Sequence, residues 1–192
     1  MLPAVLDANV LFPMVLRDTL LRAAAADCFR IHWSSRILDE VTRNLIDEYG
    51  MGKAKASTLR RLMEKAFPDA NVEGWEEFEP KMRNHPKDRH VAAVAASIGA
   101  SVIVTSNVRD FTDLPVGIIA ITPDQFLTEL LMARPAELMG ALEIQAAAYR
   151  RPPLSVAELI QQLAAVAPRF AVQASALVAS AGEGIASSPR TD

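Results

Sequence analysis

Short apolar runs alternate along this chain with longer segments whose apolar residues recur every three or four positions. That alternation restricts the fold more than any other feature. Leu2 to Leu6 is apolar and closes on Asp7-Ala8-Asn9, the pattern of a buried strand that ends in a loop. Leu16, Leu20, Leu21, Ala24, Ala25 and Cys28 then share one helical face, and Phe29 to Trp33 reads as a second strand. Ser34 or Ser35 can cap the next helix, which carries Ile37, Leu38, Val41 and Leu45. Lys53 to Phe67 repeats the helical period until Pro68 stops it, while residues 69–87 show no clear period. From Asp88 onward, Val91, Ala92, Val94, Ala95 and Ile98 form an apolar face ended by Gly99. Ser101–Thr105 and Val116–Ile121 read as strands, and Thr122-Pro123-Asp124-Gln125 is a capping box with proline at the first helical position. Parallel strands need long crossovers, so this alternation predicts an α/β fold with a parallel sheet covered by helices on both faces.

Beyond Arg134 the pattern changes to helices alone. One begins near Pro135, a break falls at Pro152-Pro153, and Ser155 with Glu158 makes a second capping box. The expected organisation is an α/β domain over 1–134, a helical extension over 135–180, and a flexible tail of small residues over 181–192. Leu138, Leu142, Leu159, Ile160 and Leu163 are the apolar positions of the extension. They either complete the core or present an apolar face to a partner.

Composition narrows the function. The 192 residues are 51% hydrophobic and 22% charged, enough for a real core and unlike a disordered chain. A net charge of −3 does not hold nucleic acid by overall attraction, so an anionic substrate must be met locally or through a metal. The single cysteine, Cys28, has no internal disulfide partner, and a reducing cytoplasm is the expected compartment. Neither a targeting segment nor an apolar stretch of the ~20 residues a membrane span needs is expected.

The informative residues are acids. Asp7 follows the first strand, Glu40 lies in the first turns of the helix after the second, and Asp88 opens the helix before the third. Asp110, with Asn107, follows the strand that ends at Thr105. A right-handed β-α-β fold brings all four acids to the carboxyl edge of the sheet. Gathered carboxylates repel one another, which is costly unless a cation sits among them. Oxygen ligands favour Mg²⁺ or Mn²⁺ over zinc. Such a cation can acidify a water that it binds, align it with a phosphodiester and neutralise charge on the phosphoryl oxygens. Metal-assisted phosphoryl hydrolysis is the implied chemistry.

Other readings stand beside this one. Asp88 can also cap its helix, Asp110 can be a turn residue before Phe111, and Asn9 and Thr105 can orient ligands or simply close local turns. His85 and His90 do not read as a zinc pair, since no further nitrogen or sulfur ligand is near, and His90 reads as a helix-surface residue. Trp33 and Trp75 read as core or rim. Lys53, Lys55, Arg60, Arg61 and Lys65 make either a solvated helix face or a surface that tracks RNA phosphates.

Four segments carry a resemblance. Val5-Leu6-Asp7-Ala8-Asn9, Leu38-Asp39-Glu40-Val41, Asp88-Arg89-His90-Val91-Ala92-Ala93-Val94-Ala95 and Ile103-Val104-Thr105-Ser106-Asn107-Val108-Arg109-Asp110-Phe111 resemble the successive motifs of PIN-domain ribonucleases, including VapC-type toxins. The resemblance covers residues 1–130. It implies a PIN-like α/β/α sandwich, endoribonuclease activity dependent on Mg²⁺ or Mn²⁺, homodimer formation and a cognate antitoxin protein. It also implies Asp7, Glu40 and Asp88 as acids of the metal site. Where a Thr-x-Asp version of the last motif has its acid, this chain has Asn107, which leaves Asp110 as the fourth acid. The extension resembles that of longer members. A haloacid-dehalogenase-type phosphatase also begins with an Asp after a first strand, but Asn9 stands where its motif needs a second carboxylate. A non-catalytic RNA-binding or protein-interaction module on the same fold is the remaining alternative.

Overall fold

The structure, a computed structural model, describes residues 1–186. Strands β1 (Pro3–Leu6), β2 (Arg30–His32), β3 (Val102–Val104) and β4 (Ile119–Ile121) form one sheet in the order β2-β1-β3-β4, and every pairing is parallel. Val5 lies opposite His32 on one side and Ile103 on the other, and Leu6 lies opposite Val104. Ala4 to Leu6 and Val102 to Val104 are all buried, as continuous apolar runs at the centre of a doubly covered sheet must be. The chain leaves β1 toward β2 and returns on the other side as β3. The gap between β1 and β3 is therefore the switch point, where an open parallel sheet leaves a crevice at its carboxyl edge.

Helices α1 (Ala8–Leu11) and α2 (Met14–Ala25) follow β1, α3 (Ser35–Asp47) and α4 (Lys53–Ala66) follow β2, α5 (Arg89–Ile98) precedes β3, and α6 (Pro123–Ala133) follows β4. The fold is an α/β/α sandwich. Its local signals act as the sequence suggests: Ser34 accepts from the Ile37 N–H at 3.3 Å, Thr122 accepts from Gln125 N–H at 3.2 Å, and Gly99 ends α5 at φ +64°. The expected strand from Val116 starts later. Ile118 N–H closes on the Pro115 carbonyl at 3.1 Å and Gly117 takes φ +92°, so a turn occupies this stretch and Val116 is fully exposed.

Residues 69–87, without a readable period, form short 3-10 turns at Trp75–Glu77, Glu79–Lys81 and Pro86–Asp88. They pack over α5, with Trp75 and Met82 buried. As a result α5 is enclosed, and His90 through Ala95 are all buried. This corrects the surface reading of His90, which is 0% exposed. Trp33 and Trp75 are core residues, as expected.

The extension consists of α7 (Pro135–Ala148), α8 (Val156–Leu163) and α9 (Pro168–Ala186). Leu138, Leu142, Leu159, Ile160 and Leu163 are buried in one cluster with the strands, each contributing about 1.5–3 kcal/mol by leaving water. Of the two roles open to these residues, the structure uses them in the core. α7 packs on α2 and α9 on α6. Buried Gln145 accepts from the Thr19 hydroxyl at 2.8 Å and donates to the Val15 carbonyl at 3.1 Å, and the Asp124 carboxylate accepts the Phe170 N–H at 2.9 Å. α9 runs through residue 186, so it includes the start of the expected tail, and 187–192 lie outside the described residues. Among the described residues no helix is long and apolar enough to cross a membrane.

Candidate functional site

Asp7 is the first residue beyond β1, and its N–H still donates to the Val104 carbonyl at 3.0 Å, which fixes it at the switch point. Its side chain caps α1: Oδ1 accepts the Ala8 N–H at 2.7 Å. Oδ2 accepts from Asn9 Nδ2 at 2.5 Å and from the Thr105 hydroxyl at 2.8 Å. Thr105 Oγ1 in turn accepts from Asn9 Nδ2 at 2.9 Å and from the Asn107 N–H at 3.1 Å, while Asn9 Oδ1 takes the Ser106 N–H at 2.9 Å. Asn9 and Thr105 thus close local turns and also hold an acid in place. Asn9 has no capacity left for the second-carboxylate role of a phosphatase. Burial pushes the Asp7 carboxyl above its ordinary pKa, the bonds from Thr105 and Ala8 and the nearby His90 pull it back, and the charge of Glu40 raises it further.

Glu40 projects from α3, partly exposed, with His90 Nε2 3.4 Å from Oε2. The His90 ring is fully buried edge-on to Trp75 at a centroid distance of 6.3 Å, and neither ring nitrogen has a hydrogen bond. Asp88 stands at the N-terminus of α5 but makes no capping bond, which removes the capping alternative. Its Oδ2 is buried with no hydrogen-bond partner. Burial first, then the charge of Asp7, push its carboxyl from 3.8 up to about 6, against the opposing pull of Lys87. Asp110 lies in a 3-10 turn, Val108–Phe111, with Oδ2 2.9 Å from Lys87 Nζ and also accepting from Asn107 Nδ2. Lys87 holds the Asp110 carboxyl below its ordinary value. Asn107 therefore serves Asp110 rather than replacing it.

The acids act on one another by charge, Glu40 on Asp7 and both Asp7 and Asp110 on Asp88, but Asp7 and Glu40 are not part of the close-set ligand group found among the described residues. His85 belongs to that group. One ligand atom each from His85, Asp88 and Asp110 lie within 4.8 Å of one another. His85 and His90 do not group as ligands; the partners of His85 are two aspartates, oxygen ligands that sequence reasoning did not place beside it. Asp88 Oδ2 is a buried oxygen with no hydrogen bond, its nearest cation being Lys87 Nζ at 4.0 Å, and such a carboxylate oxygen suits a hard divalent cation. Lys87 was not singled out by sequence reasoning. Its only signal was adjacency to Asp88 in His85-Pro86-Lys87-Asp88. A cavity of about 290 Å³ lies away from the acids, lined by Met1, Phe29, Arg30 and Phe67 at the amino ends of β1 and β2.

The basic residues sit apart from the acids in their bonding. Lys53, Lys55, Arg61 and Lys65 are exposed on α4, which packs on α3. Arg60 is tied to Asp39 and, at 3.0 Å, to Glu64.

The chain belongs to the PIN-domain family: the family model described as "PIN domain" matches residues 3–109, which span β1 through β3 and reach into the turn after it. Residues 123–176 match a second family, the VapC50 C-terminal domain. Among individual proteins, the chain is similar to "Putative ribonuclease VapC50" of Mycobacterium tuberculosis, 37% identical over 108 residues, which cover 53% of this chain and 62% of that protein. The match thus spans less than two thirds of the relative's length. No solved structure gives a significant match.

Proposed function

We propose that this chain is a divalent-metal-dependent endoribonuclease of the VapC type, the toxin of a toxin-antitoxin pair acting in the cytoplasm. Asp7, Glu40 and Asp88 hold the cation, with Asp110 beside them. The observation that carries this reading is the buried Asp88 Oδ2, which makes no hydrogen bond, together with the group in which one ligand atom each of His85, Asp88 and Asp110 lie within 4.8 Å of one another. When bound, a Mg²⁺ or Mn²⁺ ion supplies an acidified water and charge neutralisation at the phosphodiester.

The chain's own residues supply position. Thr105 and Asn9 fix Asp7, so that one ligand stays aimed without side-chain reorganisation. His90 backs Glu40 from inside the core. Exposed cations on α4 give RNA phosphates a surface to follow toward a site that is itself acidic. The relative's printed name, ribonuclease, supports the RNA substrate, and the family likeness supports an antitoxin partner and a homodimer.

Cleavage of a pool of structured RNAs in Mg²⁺ or Mn²⁺, in EDTA, and by Asp7→Asn and Asp88→Asn tests the proposal. We expect cleavage only with metal and intact acids, with Asp88→Asn lowering kcat more than it raises KM. Full activity in EDTA would sink the metal mechanism. RNA bound but never cut would return the chain to a binding module.

A further inference from the structure

Two short turns from distant parts of the chain are stitched together at the rim of the crevice. His85 N–H donates to the Asp110 carbonyl at 3.0 Å, and Asn84 Nδ2 reaches the same carbonyl at 3.4 Å. Asp88 N–H closes back on the His85 carbonyl at 2.9 Å, and Arg89 Nε holds the Asn84 carbonyl at 3.2 Å. Pro86 fixes a further φ in the same turn. The stitched turns bring the backbone of Lys87 beside Asp110, and its side chain reaches the carboxylate from there. Its Nζ lies 2.9 Å from Asp110 Oδ2 and 4.0 Å from Asp88 Oδ2.

An ammonium between these two oxygens stands where a second divalent ion would have to bridge them. Such an ion needs both oxygens at about 2.0–2.6 Å with their lone pairs clear. Asp110 Oδ2 already accepts from Lys87 and from Asn107. We propose that Lys87 is a built-in second cation, which neutralises Asp110 and confines the crevice to one divalent ion held by Asp7, Glu40 and Asp88. This inference rests on the metal reading given above.

The rest of the rim makes the inference testable. Without the ammonium, His85, Asp88 and Asp110 offer one nitrogen and two oxygen ligands within 4.8 Å of one another, a set ready for a second ion. An imidazole among carboxylates shifts preference from Mg²⁺ toward transition metals such as Mn²⁺. Lys87 is mostly exposed, so its replacement leaves the core intact.

The experiment is Mn²⁺ binding to the full chain without RNA, followed by calorimetry and by the electron paramagnetic resonance of free Mn²⁺, with melts to check folding. The parent and Lys87→Arg should bind one Mn²⁺ per chain. Lys87→Met should bind two, the second at least ~10-fold tighter than any second event in the parent. The double variant Lys87→Met with His85→Ala should lose that second ion. Two ions on the parent, or an unchanged isotherm in Lys87→Met, would overturn the role of Lys87 and leave the metal site standing. No binding to any of the proteins would overturn both.

Discussion

The Thr105 hydroxyl donates to Asp7 Oδ2 at 2.8 Å, joining the residue after β3 to the residue after β1 across 98 positions of chain. Through it the pairing of the two central strands and the aim of a candidate metal ligand become one structural fact. Thr105→Val keeps the branched shape, removes the donor to Asp7, takes one of the two acceptors of Asn9 Nδ2, and strands the Asn107 N–H. We expect a loss of about 1–3 kcal/mol in urea unfolding and weaker metal binding, with Thr105→Ser close to the parent. A valine variant as stable as the parent would show that the hydroxyl holds nothing.

Asp88 sets the sign of a pH effect. Its carboxyl is raised from 3.8 to about 6, so the folded chain binds this proton more tightly than the unfolded chain does. The penalty of an unpaired charge is absent below pH 3.8, grows between 3.8 and about 6, and is complete above. Melts in EDTA should therefore show Asp88→Asn gaining on the parent as pH rises through that window, with no gain below it. An advantage that does not change with pH would contradict the assignment.

Asp7→Asn should behave differently, although it too removes a charge. All the donors around Asp7 face acceptors, namely Ala8 N–H at Oδ1 and Asn9 and Thr105 at Oδ2. An amide there turns one acceptor into a donor facing a donor, costing about 0.5–1.5 kcal/mol per lost bond and offsetting the relieved repulsion. In EDTA near neutral pH the melting order should be Asp88→Asn, then parent, then Asp7→Asn. Mg²⁺ should raise the parent most, because it binds the intact native site. A reversed order of the two variants is the outcome that counts against this geometry.

Phosphate tracking by α4 should fall on Lys53, Lys55, Arg61 and Lys65, since Arg60 is engaged with Asp39 and Glu64. Neutralising those four should flatten the salt dependence of RNA binding by up to about 0.7 in the log–log slope per lost contact, with little change in turnover at saturation. Arg60→Ala should act on stability instead. An unaltered slope in the four-site variant would make the helix an ordinary solvated face.

For the extension, Leu142→Ala should cost about 2–5 kcal/mol, the range of a core truncation. A chain ended at Arg134 uncovers α2 and α6 and leaves Thr19 without Gln145, so it should fail to give a cooperative melt. A soluble, cooperatively folding truncation would mean that the extension is only appended.

Much of this was legible in the sequence because its signals were local. Apolar runs that close on an acid or a threonine marked β1 and β3, and caps at Ser34, Thr122 and Ser155 marked helix starts. What escaped were relations made by segments without a period. His90 looked like a surface residue since nothing in 69–87 announced that these turns would cover α5. Lys87 has no sequence signal beyond its adjacency to Asp88, because its partner, Asp110, comes from another turn. The late start of β4 depends on Gly117 at positive φ, which composition alone does not reveal.

The position of β1 at the centre of the sheet has a consequence during synthesis. β1 is made before its central neighbour β3, which follows only after β2 and the intervening helices, and Thr105 trails Asp7 by 98 residues, about 5–20 s at ~5–20 residues per second. For that interval the nascent chain has Asp7 without the hydroxyl that aims it; Asp88 is made only toward its end and Asp110 after it. The crevice is assembled only by late, long-range strand pairing, so a growing chain holds its acids apart until both central strands are made.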